Sequence, residues 1–147
     1  MPTFAHVAAA LMYAALAYFV SEVMIEPLFA EGFDPGWFSE INAAVGLICG
    51  WKIMGSRATL GFTTSISVGF TTSLMMVFWA LFLHSWGDML RRSLDKEYKG
   101  PTEAVMAVFE LGVEHFRLMS TVPIWTTLIV GGIVAGIIAG FFGRIWR

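Results

Sequence analysis

The chain has 147 residues, of which 57% are hydrophobic and 14% are charged; its net charge is −2 and its mean hydropathy is +0.72. A soluble domain carries about 25% charged residues, so this composition excludes a soluble globular domain and predicts an integral membrane protein. A slightly acidic chain without a basic cluster excludes nucleic acid as a partner. The single cysteine excludes an internal disulfide and a cysteine-based zinc site.

Three long stretches without acidic residues, lysine or arginine predict membrane spans, since a span needs about 20 mostly apolar residues. They are Met1–Ser21, Ala58–Gly87 and Leu118–Gly143. A shorter run, Phe38–Met54, predicts a fourth span, with Lys52 reaching toward the membrane surface. We therefore expect an all-α membrane protein with a single domain over 1–147, a compact bundle of four transmembrane helices near 3–26, 38–54, 60–86 and 123–143.

Small residues recur at four-residue intervals in three of these spans and predict faces that pack closely against other helices. The small-residue faces consist of Gly46 and Gly50 in span 2, Gly61, Ser65, Gly69 and Ser73 in span 3, and Gly132, Gly136 and Gly140 in span 4. Helix packing is the favoured interpretation. A pore lining is the alternative, because hydroxyl-rich faces also line polar pathways.

The polar region between spans 3 and 4 predicts one or two interfacial amphipathic helices. Gly100-Pro101 breaks this region, and Pro101-Thr102-Glu103 is typical of a helix start, so we expect a helix near 102–119. Spacings of three and four place its polar residues on one narrow stripe, which Ala107 completes. This polar stripe consists of Glu103, Glu110, Glu114 and Arg117.

The polar stripe makes it too costly for this helix to cross the membrane alone, because charged residues at the centre of a span cost about 2.5–3.5 kcal/mol each. Two arrangements stay open. The stripe faces water on an interfacial helix, or it docks against another helix or subunit. Glu22, Glu26 and His115 are the candidate polar partners within the chain.

The sequence shows no pattern typical of a catalytic, metal or cofactor site, and we expect none of the three. Neither His84 nor His115 has a glutamate three positions before it, so the Glu-x-x-His pairs of carboxylate di-iron bundles are absent. His84 is interpreted as a marker of the membrane interface, and Cys49 as a small core residue. A weaker alternative is a convergence of four carboxylates, those of Glu22, Glu26, Glu110 and Glu114.

Four stretches carry a family resemblance: FVSE at the end of span 1, GWFSEINAAVGLICGWKIMG across span 2, VFWALFLHSWGDMLRRSL in span 3, and GPTEAVMAVFELGVEH after it. With the glycine-rich last span, they resemble the TrgA family of small bacterial membrane proteins nearly from end to end. The resemblance implies a multi-pass protein of the bacterial cytoplasmic (inner) membrane, associated with tellurite resistance in alphaproteobacteria. It carries over no site residue, because that family has no established catalytic motif.

Three functions follow from these observations. The first is a small non-enzymatic membrane protein linked to tellurite tolerance, as the resemblance implies. The second is an accessory subunit that stabilises a larger respiratory or photosynthetic membrane complex; such a subunit should expose small-residue faces that its own bundle does not use. The third, a small oxyanion or proton transporter or channel, ranks last because the charges gather at span ends and in one side helix. The expected partners are the lipid bilayer and either other membrane-protein subunits or further copies of the chain.

Overall fold

The computed structural model describes residues 3–28, 36–57, 61–95 and 99–146, and every regular element in these ranges is helical. The α-helices there are α1 Phe4–Phe19, α2 Phe38–Cys49, α3 Phe62–Leu94, α4 Pro101–Met119 and α5 Val122–Ile145. α1 continues through a π-helical turn, Val20–Ile25, and a 3₁₀ turn, Glu26–Leu28, while α2 continues through a π-helical turn, Gly50–Gly55. The all-α class expected from the sequence is confirmed.

Within the described ranges, three helices are long and apolar enough to cross a membrane: Phe4–Leu28, Phe62–Leu94 and Val122–Ile145. They correspond to the spans expected near 3–26, 60–86 and 123–143. α2 and its π-helical turn cover the second expected span, 38–54, but are not among these three. The expected start of the third span at residue 60, and residues 1, 2 and 147 of the expected single domain, lie outside the described residues.

α1 packs closely on α2 because two glycines of α2 leave room for the backbone of α1. The two helices are antiparallel, so Gly46 lies on the backbone of Tyr13 and Gly50 lies on that of Ala9. A Cβ atom on Gly50 would lie 2.5 Å from the Ala9 carbonyl oxygen, closer than real Cβ contacts allow. The small-residue face of span 2 is therefore used inside the bundle.

α3 and α5 are also antiparallel and meet through their small-residue faces. Gly69 of α3 lies on the carbonyl of Gly132, and Gly136 of α5 lies on the carbonyl of Ser65. The Ser73 hydroxyl donates a hydrogen bond across the contact to a backbone carbonyl of α5, at 2.9 Å. Such close contacts are the usual way in which membrane helices associate, since burial from lipid supplies no hydrophobic driving force.

One member of the small-residue faces, Gly61, has other surroundings. Gly61 precedes α3 instead of lying within it, with a φ of +129° and no atom within 4 Å of the position a Cβ would take. The expectation that Gly61 packs against another helix is therefore wrong, because its backbone ends the preceding connection in a conformation that favours glycine. Gly140 is buried in α5, and its carbonyl accepts a hydrogen bond from Arg144 Nε at 3.1 Å.

α3 is longer than a membrane span. At 1.5 Å per residue it measures about 50 Å, against about 30 Å for the hydrocarbon core of a bilayer. It continues to Leu94 rather than ending near residue 86, because no helix break occurs before Gly100-Pro101. α4, which covers the helix expected near 102–119, folds back along this extra length and packs a short apolar face onto Met89. That face consists of Ala107, Val108 and Leu111.

The contact between α3 and α5 predicts a large difference between two glycine-to-alanine substitutions. In Gly136→Ala the new Cβ would lie 2.6 Å from the Ser65 carbonyl oxygen, so the helices must separate. We expect a loss of about 1–3 kcal/mol in the free energy of unfolding, measured by SDS titration in mixed micelles. Gly87→Ala is the control, because nothing lies within 4 Å of its Cβ position. An equal effect of both substitutions would contradict the close contact.

Candidate functional site

A cavity of about 350 Å³ lies where the end of α1, the start of α2, the middle of α3 and the junction of α4 with α5 meet. Most of its wall is apolar. The apolar side chains that line it include Ala17, Val20, Ile25, Met76, Val77, Ala80, Leu81, Met119 and Leu128. A largely apolar cavity with a few converging polar groups is the usual form of a small-molecule site.

The π-helical turn of α1 contributes the first polar group of the cavity. Ser21 lies in this turn, lines the cavity and is 2% exposed. Its hydroxyl donates a hydrogen bond to the Ala17 carbonyl oxygen at 2.6 Å. The Ser21 oxygen is therefore left as an acceptor. Single π-helical turns inside α-helices occur frequently at functional sites.

Asn42 and His84 extend this group into a chain that joins three helices. Asn42 Nδ2 donates to Ser21 Oγ at 2.8 Å, and Asn42 Oδ1 lies 2.8 Å from His84 Nε2. Because an amide oxygen only accepts, His84 Nε2 must carry a proton, which leaves Nδ1 of a neutral ring as an acceptor. We call Ser21, Asn42 and His84 the polar chain. Its hydrogen bonds all donate in one direction, from His84 through Asn42 and Ser21 to a backbone carbonyl of α1.

A second polar pair stands at the side of the cavity formed by α3 and α4. His115 Nε2 of α4 lies 2.9 Å from Asp88 Oδ2 of α3, with the two side chains 30% and 32% exposed. Arg91, which is exposed, also lines the cavity. A partly exposed pair of this kind contributes about 0–1 kcal/mol. It positions α4 beside α3 more than it stabilises the fold.

The polar stripe of α4 lies away from the cavity. All four of its residues are exposed: Glu103, Glu110, Glu114 and Arg117. Glu103 Oε2 accepts a hydrogen bond from the Lys99 backbone at 3.1 Å, and among the described residues Glu114 and Arg117 form no ion pair within 4 Å. Ala107 does not complete the stripe, because it is buried against α3. Of the polar residues expected on this helix, His115 alone lines the cavity.

The two glutamates of α1 occupy different surroundings. Glu22 is exposed, whereas Glu26 Oε1 accepts a hydrogen bond from the Ser39 hydroxyl at 2.8 Å and so joins the end of α1 to the start of α2. They do not converge with Glu110 and Glu114 of α4. Within the described ranges, no group of three or more His, Cys, Asp or Glu residues could hold a metal ion.

Sequence reasoning missed most of the residues that converge here. Ser21, Asn42 and Asp88 were not singled out by any spacing. His84 was interpreted only as a marker of the membrane interface, but it also lines the cavity and bonds Asn42. One signal was present: Asn42 lies in a segment expected to span the membrane, where an amide needs a hydrogen-bond partner. Cys49 lies in the apolar core, as expected of a small core residue.

The polar chain predicts coupled effects of substitutions at Asn42 and His84. Asn42→Leu leaves the His84 Nε2 proton without its acceptor, His84→Phe leaves the Asn42 oxygen without its donor, and the double variant removes both groups. We expect the double variant to lose less stability than the sum of the single variants, by about 0.6–1.7 kcal/mol in SDS titrations. Effects that add to within about 0.5 kcal/mol would show that the bond contributes nothing.

No protein-family model, no curated protein and no solved structure matches the chain. The resemblance to the TrgA family therefore stays a prediction from the residues that carry it. The cavity and its polar chain have to be interpreted from their own chemistry.

Proposed function

We propose that the chain is a small four-span protein of the bacterial cytoplasmic membrane that contributes to tellurite tolerance by binding a small molecule, without catalysing a reaction. The link to tellurite comes from the resemblance to the TrgA family. The binding role comes from the cavity, which is the observation that carries the proposal. The three helices that are long and apolar enough to cross a membrane support a membrane location.

The fourth span would be α2 together with its π-helical turn. At 1.5 Å per residue the segment Phe38–Gly55 is about 27 Å long, close to the thickness of the hydrocarbon core. Lys52 is exposed near its end, where a long side chain can reach the membrane surface. α4 would then be the interfacial helix, since an apolar face and the polar stripe lie on different sides of it.

The arrangement of the polar chain favours binding over catalysis. A serine nucleophile needs a base that accepts its proton. Here the Ser21 hydroxyl donates to a backbone carbonyl, and His84 is separated from Ser21 by the Asn42 amide. The polar chain therefore presents hydrogen-bonding groups to a ligand but does not pair a nucleophile with a base.

A substitution that fills the cavity tests this proposal. In a strain of the source bacterium that lacks the chain, we expect the unchanged chain to restore survival in tellurite and Ala80→Leu to fail, because the added side chain occupies the cavity that Ala80 lines. Ala15→Leu is the matched control, since Ala15 is exposed on α1 and is not part of the lining. Membrane abundance of each variant is measured by immunoblot.

Two outcomes would contradict the proposal. Survival of the deletion strain equal to that of its parent would remove the link to tellurite. Full restoration by Ala80→Leu, at equal abundance, would remove the cavity from the function.

An accessory subunit of a larger membrane complex is the second candidate, and the outer face of α4 favours it. This face exposes a row of apolar side chains beside the polar stripe, with Phe109 72% exposed. The row consists of Val105, Met106, Phe109, Val113 and Phe116. The glycines of the small-residue faces described above are largely used inside the bundle, so an accessory role would depend on α4 instead.

A mild-detergent pull-down of tagged chain from native membranes tests the second candidate. We expect stoichiometric recovery of the subunits of one complex, with masses read out by mass spectrometry, and loss of that recovery in Phe109→Ala. Phe78→Ala is the control, because Phe78 is similarly apolar and exposed but lies on α3. Recovery of the chain alone, or equal recovery with Phe109→Ala, would count against docking through α4.

A further inference from the structure

We propose that the ligand of the cavity is a neutral, lipid-soluble aromatic hydroxyl compound, a phenol or hydroquinone, whose hydroxyl donates to Nδ1 of His84. This inference rests on the proposed binding function and names the ligand class. Its first support is the direction of the polar chain. Because Nε2 of His84 donates to Asn42, Nδ1 is the acceptor of the neutral ring, and it has no hydrogen-bond partner among the described residues. A lone pair of this kind is complementary to a hydroxyl donor.

The charge of the lining favours a neutral ligand. Among the described residues that line the cavity, the formally charged side chains are one carboxylate, Asp88, which is paired with His115, and one guanidinium, Arg91. An oxyanion entering a largely apolar cavity would lose its hydration, and the solvent-exposed guanidinium of Arg91 would compensate little of that cost. Tellurite itself is therefore a poor occupant, and the tolerance link would act through another molecule.

The size and the rim of the cavity favour a ring with an apolar tail. A volume of about 350 Å³ is near the lower end of the roughly 300–1,000 Å³ typical of small-molecule sites. It suits a ring and the first part of a tail better than a two-chain lipid. Ile41 and Leu118 line the cavity and are also exposed, so an apolar tail can leave between them toward lipid.

Aromatic side chains lie where the ring of the ligand would sit. Phe38 lines the cavity beside His84, with a distance of 4.6 Å between the two ring centroids. Trp37, at the start of the same helix, also lines it. Offset and edge-to-face contacts between aromatic rings add to the energy of burial, so an aromatic ligand is favoured over an aliphatic alcohol of the same size.

Two probes that differ only at the hydroxyl group test the ligand class: 4-decylphenol and its methyl ether, 4-decylanisole. Binding of each radiolabelled probe to the purified full chain is measured by equilibrium dialysis in detergent micelles, with Ala15→Leu giving the reference for a substitution outside the cavity. We expect the phenol to bind about tenfold more tightly than the ether, since only the phenol can donate to His84 Nδ1. We expect Ala80→Leu to bind neither probe above the level of protein-free micelles.

His84→Phe isolates the hydrogen bond. This variant keeps an aromatic ring beside Phe38 but removes the acceptor, so we expect it to bind phenol and ether equally. If His84→Phe does not fold, the comparison of the two probes on the unchanged chain and on Ala80→Leu still decides the matter. Equal binding of phenol and ether by the unchanged chain, unchanged phenol binding by Ala80→Leu, or displacement of the phenol by millimolar potassium tellurite would each overturn the proposal.

The ligand class and the proposed function fail in different ways. If the phenol does not bind, while Ala80→Leu still abolishes tellurite survival, the ligand class is wrong and the function stands. If the phenol binds as expected but the deletion strain survives tellurite like its parent, the ligand class stands and the tolerance role is wrong.

Discussion

The close approach of α1, α3 and α5 around Tyr13 is the constraint on which the rest of the bundle depends. Tyr13 is fully buried, and its hydroxyl donates to the Gly132 carbonyl oxygen at 2.7 Å. A phenol hydroxyl inside an apolar bundle needs such a partner, and the contact between Gly69 and Gly132 brings the carbonyl within reach because neither residue has a Cβ. The bond fixes the rotation of α1, and residues one and two turns later, Ala17 and Ser21, then line the cavity.

Stability alone does not account for the polar chain, which supports the proposal that the cavity binds a ligand. Hydrogen bonds between membrane helices contribute on average about 0.6 kcal/mol, so Ser21, Asn42 and His84 add little that apolar side chains could not supply. Protein interiors normally close around their side chains at high density. A network that served packing alone would not be expected beside a cavity of about 350 Å³. Its direction, from His84 to a carbonyl of α1, also leaves Nδ1 of His84 without a donor among the described residues.

Much of the fold could be predicted from the sequence, because the features that fix it are local. Apolar runs marked α1, α3 and α5, and Gly100-Pro101 marked the start of α4. Four-residue spacings of small residues placed Gly69 and Gly136 on contact faces. Spacing could not reveal that α3 begins one residue after Gly61, nor that it extends about two turns beyond residue 86.

The site could not be predicted in the same way, because its partners are distant in sequence. Ser21 and Asn42 are separated by a connection, and Asn42 and His84 lie on antiparallel helices. Which residues meet depends on how far each helix is rotated and shifted along its neighbour. Side-chain packing between the helices sets this rotation and shift, and the spacing of residues in a single sequence does not show it. The spacing of the polar stripe could be recognised in the sequence. The side of α4 that faces α3 could not, because Ala107 was expected on the stripe but is buried against α3.

The position of α4 links the cavity to the outer surface of the protein. α4 supplies His115, Leu118 and Met119 to the cavity wall, while its opposite side exposes Phe109. The pair between His115 and Asp88 is weak, so α4 is held mainly by a short apolar face on Met89. Anything that binds the outer face of α4 and holds it in place also preserves the cavity wall. By linkage, a ligand that binds only the intact cavity must favour that outer contact to the same degree. The proposed binding in the cavity and the proposed docking through α4 therefore depend on the same helix, so a change in one is expected to affect the other.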